Sequence, residues 1–208
     1  MLDVEGFILV GGASSRMGRD KSRLMLGGQT TVERIAESMA QVVTRVRLVG
    51  GPAGGRYDRN RFQSVPDLAD SWGPLGGIQA ALHAAEAEWC IAIACDLPFV
   101  SGDLWRRLFE LKSNTTESFD AVVPIQADEY PQPLCAVYRR VPCRDAADRS
   151  IRNGEHSPRA LLDKVKTRYV PFAEIADLTG ASNFFFNINT PENYERAEQL
   201  CRYAERES

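Results

Sequence analysis

Two histidines in 208 residues leave little material for a histidine-rich metal cluster or a histidine proton relay. The five cysteines, Cys90, Cys95, Cys135, Cys143 and Cys201, are odd in number and widely spaced, with no C-x-x-C pair. That argues against a zinc site or a disulfide framework and for buried free thiols. Long apolar runs are missing as well. Stretches such as residues 89–95 fall far short of the roughly 18 to 20 residues that a membrane span needs, so neither a span nor a membrane partner is expected. The opening Met1-Leu2-Asp3-Val4-Glu5 lacks a cationic start followed by an apolar run, and the expected location is cytoplasmic. Charge of one sign is not in excess either. With 25 Lys+Arg against 28 Asp+Glu the net charge is -3, which argues against a general nucleic-acid binder. What is present, 44% hydrophobic and 25% charged residues, is the composition of a globular chain and excludes disordered and collagen-like classes. The length suits one α/β domain, 1–208.

The segment Gly6-Phe7-Ile8-Leu9-Val10 is a short apolar run closed by Gly11-Gly12, the pattern of a buried strand delivering a loop. Val32, Ile35, Ala36, Met39, Ala40 and Val43 then recur at helical spacing behind Thr30 or Thr31 as cap, and residues 46–49 read as the next strand. The alternation continues with a strand at 62–65, a helix at 75–87 and a strand at 89–94. A helix capped by Ser101 and a strand at 120–125 follow. Beyond 125 it loosens: a strand at 134–138, helices near 141–151 and 157–165, a short strand at 167–170, a last strand at 184–189, and a helix opened by Thr190 as N-cap and Pro191 in its first turn. The expected fold is therefore α/β, a Rossmann-like, doubly wound, mostly parallel sheet with helices on both faces. Ligands of such sheets sit at the carboxyl ends of the strands.

Four stretches fall at such ends. In LVGGASSRMGRDK, Leu9 to Lys21, a buried strand delivers a glycine-rich loop with Arg16 and Lys21, a phosphate cradle that matches neither the P-loop nor G-x-G-x-x-G, or else a simple glycine-rich turn. Cys95-Asp96-Leu97-Pro98 puts a carboxylate directly after an apolar strand, where it can hold Mg²⁺ together with water and phosphate oxygens, or simply turn the chain toward the next helix. Val65-Pro66-Asp67 and Gly73-Pro74-Leu75-Gly76-Gly77-Ile78 give another strand-end carboxylate and small residues opening a helix, suited to close approach of a base or ribose or to helix packing. In Phe186-Asn187-Ile188-Asn189-Thr190-Pro191, alternation puts Asn187 and Asn189 on one face, as ligands of metal or phosphate or as caps of the last helix.

Taken in order, LVGGASSRMGRDK, VPD, GPLGGI, ACDLP, YPQPLCAVY and NINTP make the chain resemble the molybdenum cofactor guanylyltransferases of the MobA type. The resemblance implies a nucleotide-diphospho-sugar transferase-like fold, with residues 1–125 as nucleotide half and 126–208 as acceptor half, and transfer of GMP from GTP to the phosphate of a molybdopterin-type molybdenum cofactor, with release of pyrophosphate. It also implies that Leu9, Val10, Gly11 and Gly12 contact the guanine nucleotide, Lys21 its phosphates, Asp67 the nucleoside, and Asp96 both nucleotide and Mg²⁺. Gly76, Asn187 and Asn189 complete the implied nucleotide site, with Arg16, Lys21 and Asp96 as the catalytic set. His83 and His156 are expected to be structural or surface residues. The rival readings are a cytidylyl- or sugar-phosphate nucleotidyltransferase and a non-catalytic nucleotide-binding module. Transient contact with cofactor-delivery or molybdoenzyme proteins is a further expectation.

Between Arg139 and Arg168 nine basic side chains meet four acidic ones, a local excess of five in an anionic chain. This segment is expected either to face the acceptor's phosphate or to be a pair of solvated helices.

Overall fold

The computed structural model describes residues 3–10, 24–50, 62–66, 73–114 and 116–207, with side chains through residue 203. Among them the chain runs β1 (Val4–Leu9), β2 (Met25–Leu26), β3 (Gln29–Thr30), α1 (Thr31–Ala40), β4 (Arg45–Val49), β5 (Gln63–Val65), α2 (Gly73–Ala84) and β6 (Trp89–Ala94). It continues through α3 (Gly102–Ser113), β7 (Ala121–Pro124), β8 (Cys135–Arg139), α4 (Arg140–Arg152), α5 (Pro158–Leu162), β9 (Thr167–Val170) and α6 (Pro191–Glu207). Seven strands form one sheet in the order β5-β4-β1-β6-β8-β7-β9. Six point the same way and β8 alone opposes its neighbours β6 and β7. The doubly wound, mostly parallel sheet expected from the sequence is thus the architecture.

All six residues of β1 are buried because helices cover both sheet faces, and this is why the strand reads as a continuous run rather than an alternation. Val4 and Ile8 point into a core shared with α1 (Val32, Ile35, Met39) and α3 (Leu104, Trp105, Leu108). Phe7 and Leu9 point the other way, into a core with α2 (Leu75, Ile78, Leu82), α4 (Cys143, Ala146) and α5 (Leu161, Leu162). Helix α1 starts with a capping box: the Thr30 hydroxyl accepts from the Glu33 amide, and the Glu33 carboxylate accepts from the Thr30 amide. All five cysteines are buried free thiols, and burial pushes Cys90 up to about 12.

Several expectations shift. The helix expected over 75–87 ends at Ala84, where Arg47 donates to the Ala84 carbonyl and Arg140 to those of Ala85 and Glu86, so guanidinium groups take acceptors that a longer helix would bond internally. Ser101 stands at the N-cap of α3, but its hydroxyl makes no capping hydrogen bond. The strand expected at 184–189 does not form. Residues Ala181–Asn183 make a 3-10 turn, and the Phe184 and Phe186 amides each bond a carbonyl three residues back. The alternation behind that expectation is real but has another cause: Phe184 enters the α1–α3 core while Ile188 and Phe186 enter a third, small cluster.

That third cluster contains an element with no counterpart in the expectations, the β2–β3 hairpin. Its turn residues Gly27 and Gly28 have φ of 54° and 78°, the left-handed conformation that two-residue hairpin turns require. Leu24 and Leu26 pack there against Ile188, Ala197 and Cys201, which seats α6 on the hairpin.

Candidate nucleotide site

The sheet reverses its winding between β1 and β6, since β4 and β5 are added on one side of β1 and β6 and the later strands on the other. The crevice beyond the carboxyl ends of those two strands is where open α/β sheets bind ligands. Leu9 pairs with Ala94 across it, and the Cys95 amide donates to the Leu9 carbonyl at 3.1 Å, so the ladder holds to the last residue before Asp96. A turn then closes with the Leu97 amide on the Ala94 carbonyl at 3.3 Å, leaving Asp96 half-buried at the crevice. Val10 is fixed by its amide bond to the Val49 carbonyl at 2.8 Å.

Helix α2 opens onto the same crevice. Gly76 is buried in its first turns, and a Cβ built on Gly77 would lie 3.5 Å from the Leu9 side chain, an ordinary contact that shows how directly α2 lies on β1. The other wall is the segment before α6. The Ile188 amide donates to the Asp96 carbonyl at 3.0 Å, which seats Asn187 and Asn189 on either side of the Asp96 turn. Asn187 is half-buried and Asn189 exposed. At the start of α6 the Thr190 hydroxyl accepts from the Asn193 amide at 3.2 Å, and the Asn193 carboxamide oxygen accepts from the Asn189 amide at 3.4 Å.

Of the residues singled out from the sequence, the structure therefore brings Leu9, Val10, Gly76, Asp96, Asn187 and Asn189 to one crevice. Gly11, Gly12, Arg16, Lys21 and Asp67 lie outside the described residues. His83 lies away from the crevice, bridging helices: its Nε2 is 2.8 Å from Asp148 of α4, which also accepts from Gln79 at 2.7 Å. His156 is exposed in the connection between α4 and α5.

Among the described residues no group of three or more His, Cys, Asp or Glu side chains is placed to cage a metal. One strand-end carboxylate is instead the kind of donor Mg²⁺ uses when phosphate oxygens and water supply its remaining positions.

The basic segment does not behave as one patch. Arg139 pairs with Glu88, Lys166 with Glu117, and Arg168 with Glu174, while Lys164 is held by Glu155, Ser150 and the Ala160 carbonyl. Arg139 and Lys166 lie at the amino edge of the sheet, opposite the crevice, as the pairing of Arg139 with Trp89 requires. Arg152 and Arg159 are exposed, Arg152 at the end of α4 and Arg159 on α5.

Two features of the site were not read from the sequence: the contact between Ile188 and Asp96, and the hairpin beside it. The hairpin had a signal, Gly27-Gly28 between Met25-Leu26 and Gln29-Thr30. The Ile188 contact joins residues 92 positions apart and had none.

Comparison with known proteins fits this geometry. The model of the MobA-like NTP transferase domain matches residues 6–169. A protein of Pelotomaculum thermopropionicum named a probable molybdenum cofactor guanylyltransferase is 34% identical over 201 residues, covering 97% of this chain and 95% of that protein. The crystal structure of molybdopterin-guanine dinucleotide biosynthesis protein A from Archaeoglobus fulgidus superposes with a TM-score of 0.77 at 28% identity, covering 96% of this chain and 99% of that one. A 2-C-methyl-D-erythritol 4-phosphate cytidylyltransferase from Thermus thermophilus superposes with a TM-score of 0.68 over 95% of this chain and 98% of that one, but at 18% identity that likeness concerns the fold alone.

Proposed function

The chain belongs to the MobA-like NTP transferase family, and from that membership together with the crevice we propose that it transfers GMP from GTP to the phosphate of a molybdopterin-type molybdenum cofactor, releasing pyrophosphate and forming the guanine dinucleotide cofactor. The observation that carries the reading is the placement of Asp96 at the switch point of the sheet, with the Asn187-to-Asn189 segment bonded to its carbonyl.

In this reaction an acceptor phosphate oxygen bonds to the α-phosphorus of GTP while the bond from that phosphorus to the bridging oxygen of the β-phosphate breaks, and the electron pair leaves with pyrophosphate. The attacking oxygen is already anionic, so no base has to remove a proton, and positioning with charge neutralisation supplies most of the rate. This suits a site without histidine. Bound Mg²⁺ would neutralise charge on the triphosphate, and Asp96 is the residue that would hold it. Leu9, Val10, Gly11 and Gly12 line the nucleotide side, Asp67 and Gly76 approach the nucleoside, and Asn187 and Asn189 offer amide groups beside Asp96. Arg16 and Lys21 bind the phosphates. Lys21 contributes most where charge builds on departing pyrophosphate.

Residues 1–208 are read as one domain, a reading supported by the insertion of β8, from the acceptor half, between β6 and β7 of the nucleotide half. No described helix is long and apolar enough to cross a membrane. A cytoplasmic site of action and transient contact with cofactor-delivery or molybdoenzyme proteins complete the proposal.

The test incubates the protein with each nucleoside triphosphate in turn, with Mg²⁺ and molybdenum cofactor, and follows pyrophosphate. GTP should support release only when the acceptor is present, and removal of Mg²⁺ should stop it. Release driven by CTP would instead identify a cytidylyltransferase, and tight GTP binding without release a binding module.

A further inference from the structure

Helix α6 and its lead-in meet the Asp96 turn and the β2–β3 hairpin. Its lead-in holds the Asp96 turn, because the Ile188 amide bonds the Asp96 carbonyl at 3.0 Å and the Ile188 side chain is fully buried. One turn into the helix, the Tyr194 hydroxyl donates to the Met25 carbonyl at 2.7 Å, on β2. Both contacts join one apolar cluster, in which Leu24, Leu26, Ile188, Ala197 and Cys201 are buried and Phe99, Phe186 and Tyr194 pack around them. Phe99 lies three residues beyond Asp96 and meets Phe186 edge-on with ring centres 6.1 Å apart, so the Asp96 turn is gripped from both of its ends.

The hairpin is held from its other side by α1. Its two strands have two residues each and pair only with one another, and a two-residue ladder is too short to be stable by itself. On the α1 side the Thr31 amide bonds the Leu24 carbonyl at 3.0 Å, Thr30 shares the capping box with Glu33, and the Gln29 carboxamide donates to Glu37 at 3.1 Å. The outer strand β2, with Met25 half-exposed, meets α6 on the side away from β3 through the Tyr194 hydroxyl and the packing of Leu24 and Leu26. Leu24 is also where the chain enters the hairpin directly after the glycine-rich segment.

We infer that Tyr194 is a positioning residue: by bonding the Met25 carbonyl from a helix whose lead-in is bonded to Asp96, it fixes the exit of the glycine-rich segment relative to the Asp96 carboxylate. The inference rests on the site proposed above. Transfer depends steeply on the alignment of phosphate-binding and carboxylate groups, whereas ground-state affinity is spread over many contacts. Loss of the tether should consequently lower kcat much more than it raises KM.

The experiment uses the full chain with Tyr194→Phe, which keeps the ring and removes only the hydroxyl. Expected are a fall in kcat of about five- to tenfold, a change in the KM for GTP of about twofold or less, and faster hydrogen exchange at the Thr31 and Ile188 amides without ligand. In the Asp96→Ala background, under single-turnover conditions, Tyr194→Phe should slow transfer by a much smaller factor, since the group it aligns is gone. Wild-type kcat in Tyr194→Phe, or an equal factor in both backgrounds, overturns the inference while a crippled Asp96→Ala protein keeps the site reading intact. Wild-type turnover by Asp96→Ala overturns the site reading instead. A lowered melting temperature with normal kcat makes the contact merely structural and overturns the inference as well.

Discussion

At the amino edge of the sheet Glu5 is 3% exposed and Arg47 5%, and they pair at 2.7 Å. Arg45 and the Glu86 amide also bond Glu5, and the Arg47 guanidinium lies 4.7 Å from the centre of the Phe7 ring. At the carboxyl edge, one strand over, Asp96 is half-exposed in a turn facing the crevice. Burial works against the charge of Glu5, but the Arg45 hydrogen bond, the Glu86 amide and the two guanidinium charges outweigh it and hold the carboxyl below its usual range. The amino-edge charges thus consume one another and lock β1, β4 and the end of α2 together. A polar group that serves a ligand needs a different setting, an edge with room for what arrives and a backbone that holds the group still. The Asp96 backbone is held through the bond of its neighbour Cys95 to the Leu9 carbonyl and of its own carbonyl to the Ile188 amide.

The contrast breaks if the two carboxylates behave alike. Asp96→Ala should lower kcat by about 10²- to 10³-fold, with a melting temperature within a few degrees of wild type. Steady-state kinetics and thermal unfolding check both halves, and near-normal turnover would remove Asp96 from the site. Glu5→Gln should do the reverse. Leaving Arg47 buried without its partner should cost about 3 kcal/mol of stability, read from urea unfolding, with turnover per folded molecule unchanged.

Acid sharpens the same comparison. Because the folded pKa of Glu5 is depressed, its stabilisation is complete above the unfolded value of about 4.3 and is lost as pH falls through the folded value. Wild type should therefore lose stability faster than Glu5→Gln as pH drops below about 4.3, and parallel urea midpoints for the two proteins would refute the coupling.

Smaller effects are expected away from Asp96. Lys21→Ala should weaken GTP binding and slow transfer together, by about tenfold in kcat/KM, and unchanged kinetics would return the glycine-rich segment to a simple turn. Replacing Arg152 and Arg159 together by Gln should raise the cofactor concentration needed for half-maximal rate by about two- to fivefold, increasingly at higher salt, and leave GTP binding alone. An unchanged requirement would make both arginines surface charges like their paired neighbours.

Much of the fold could be read locally. The strands at 89–94 and 167–170 have the expected bounds, α1 has Thr30 as its cap, and α6 opens at Thr190-Pro191. Such features depend on the side chains of a few adjacent residues and on how many faces of the element are covered. The candidate site was legible to the same extent: Asp96 stands where an apolar strand ends, and a strand end in a parallel sheet is an edge with room for a ligand.

What the sequence by itself determined is thus the identity of most elements, the strand-end position of Asp96 and the family the motifs point to. Only the tertiary structure decided their neighbours. It placed β8 antiparallel between β6 and β7, turned 184–189 into a non-strand segment whose aromatic rings fill two different cores, spent most of the basic segment on nearby carboxylates, and landed α6 on the β2–β3 hairpin. The physical reason is range. Periodicity records that a side chain is buried but not what buries it, and a lone backbone amide such as that of Ile188 finds the Asp96 carbonyl only after the chain between them has been packed.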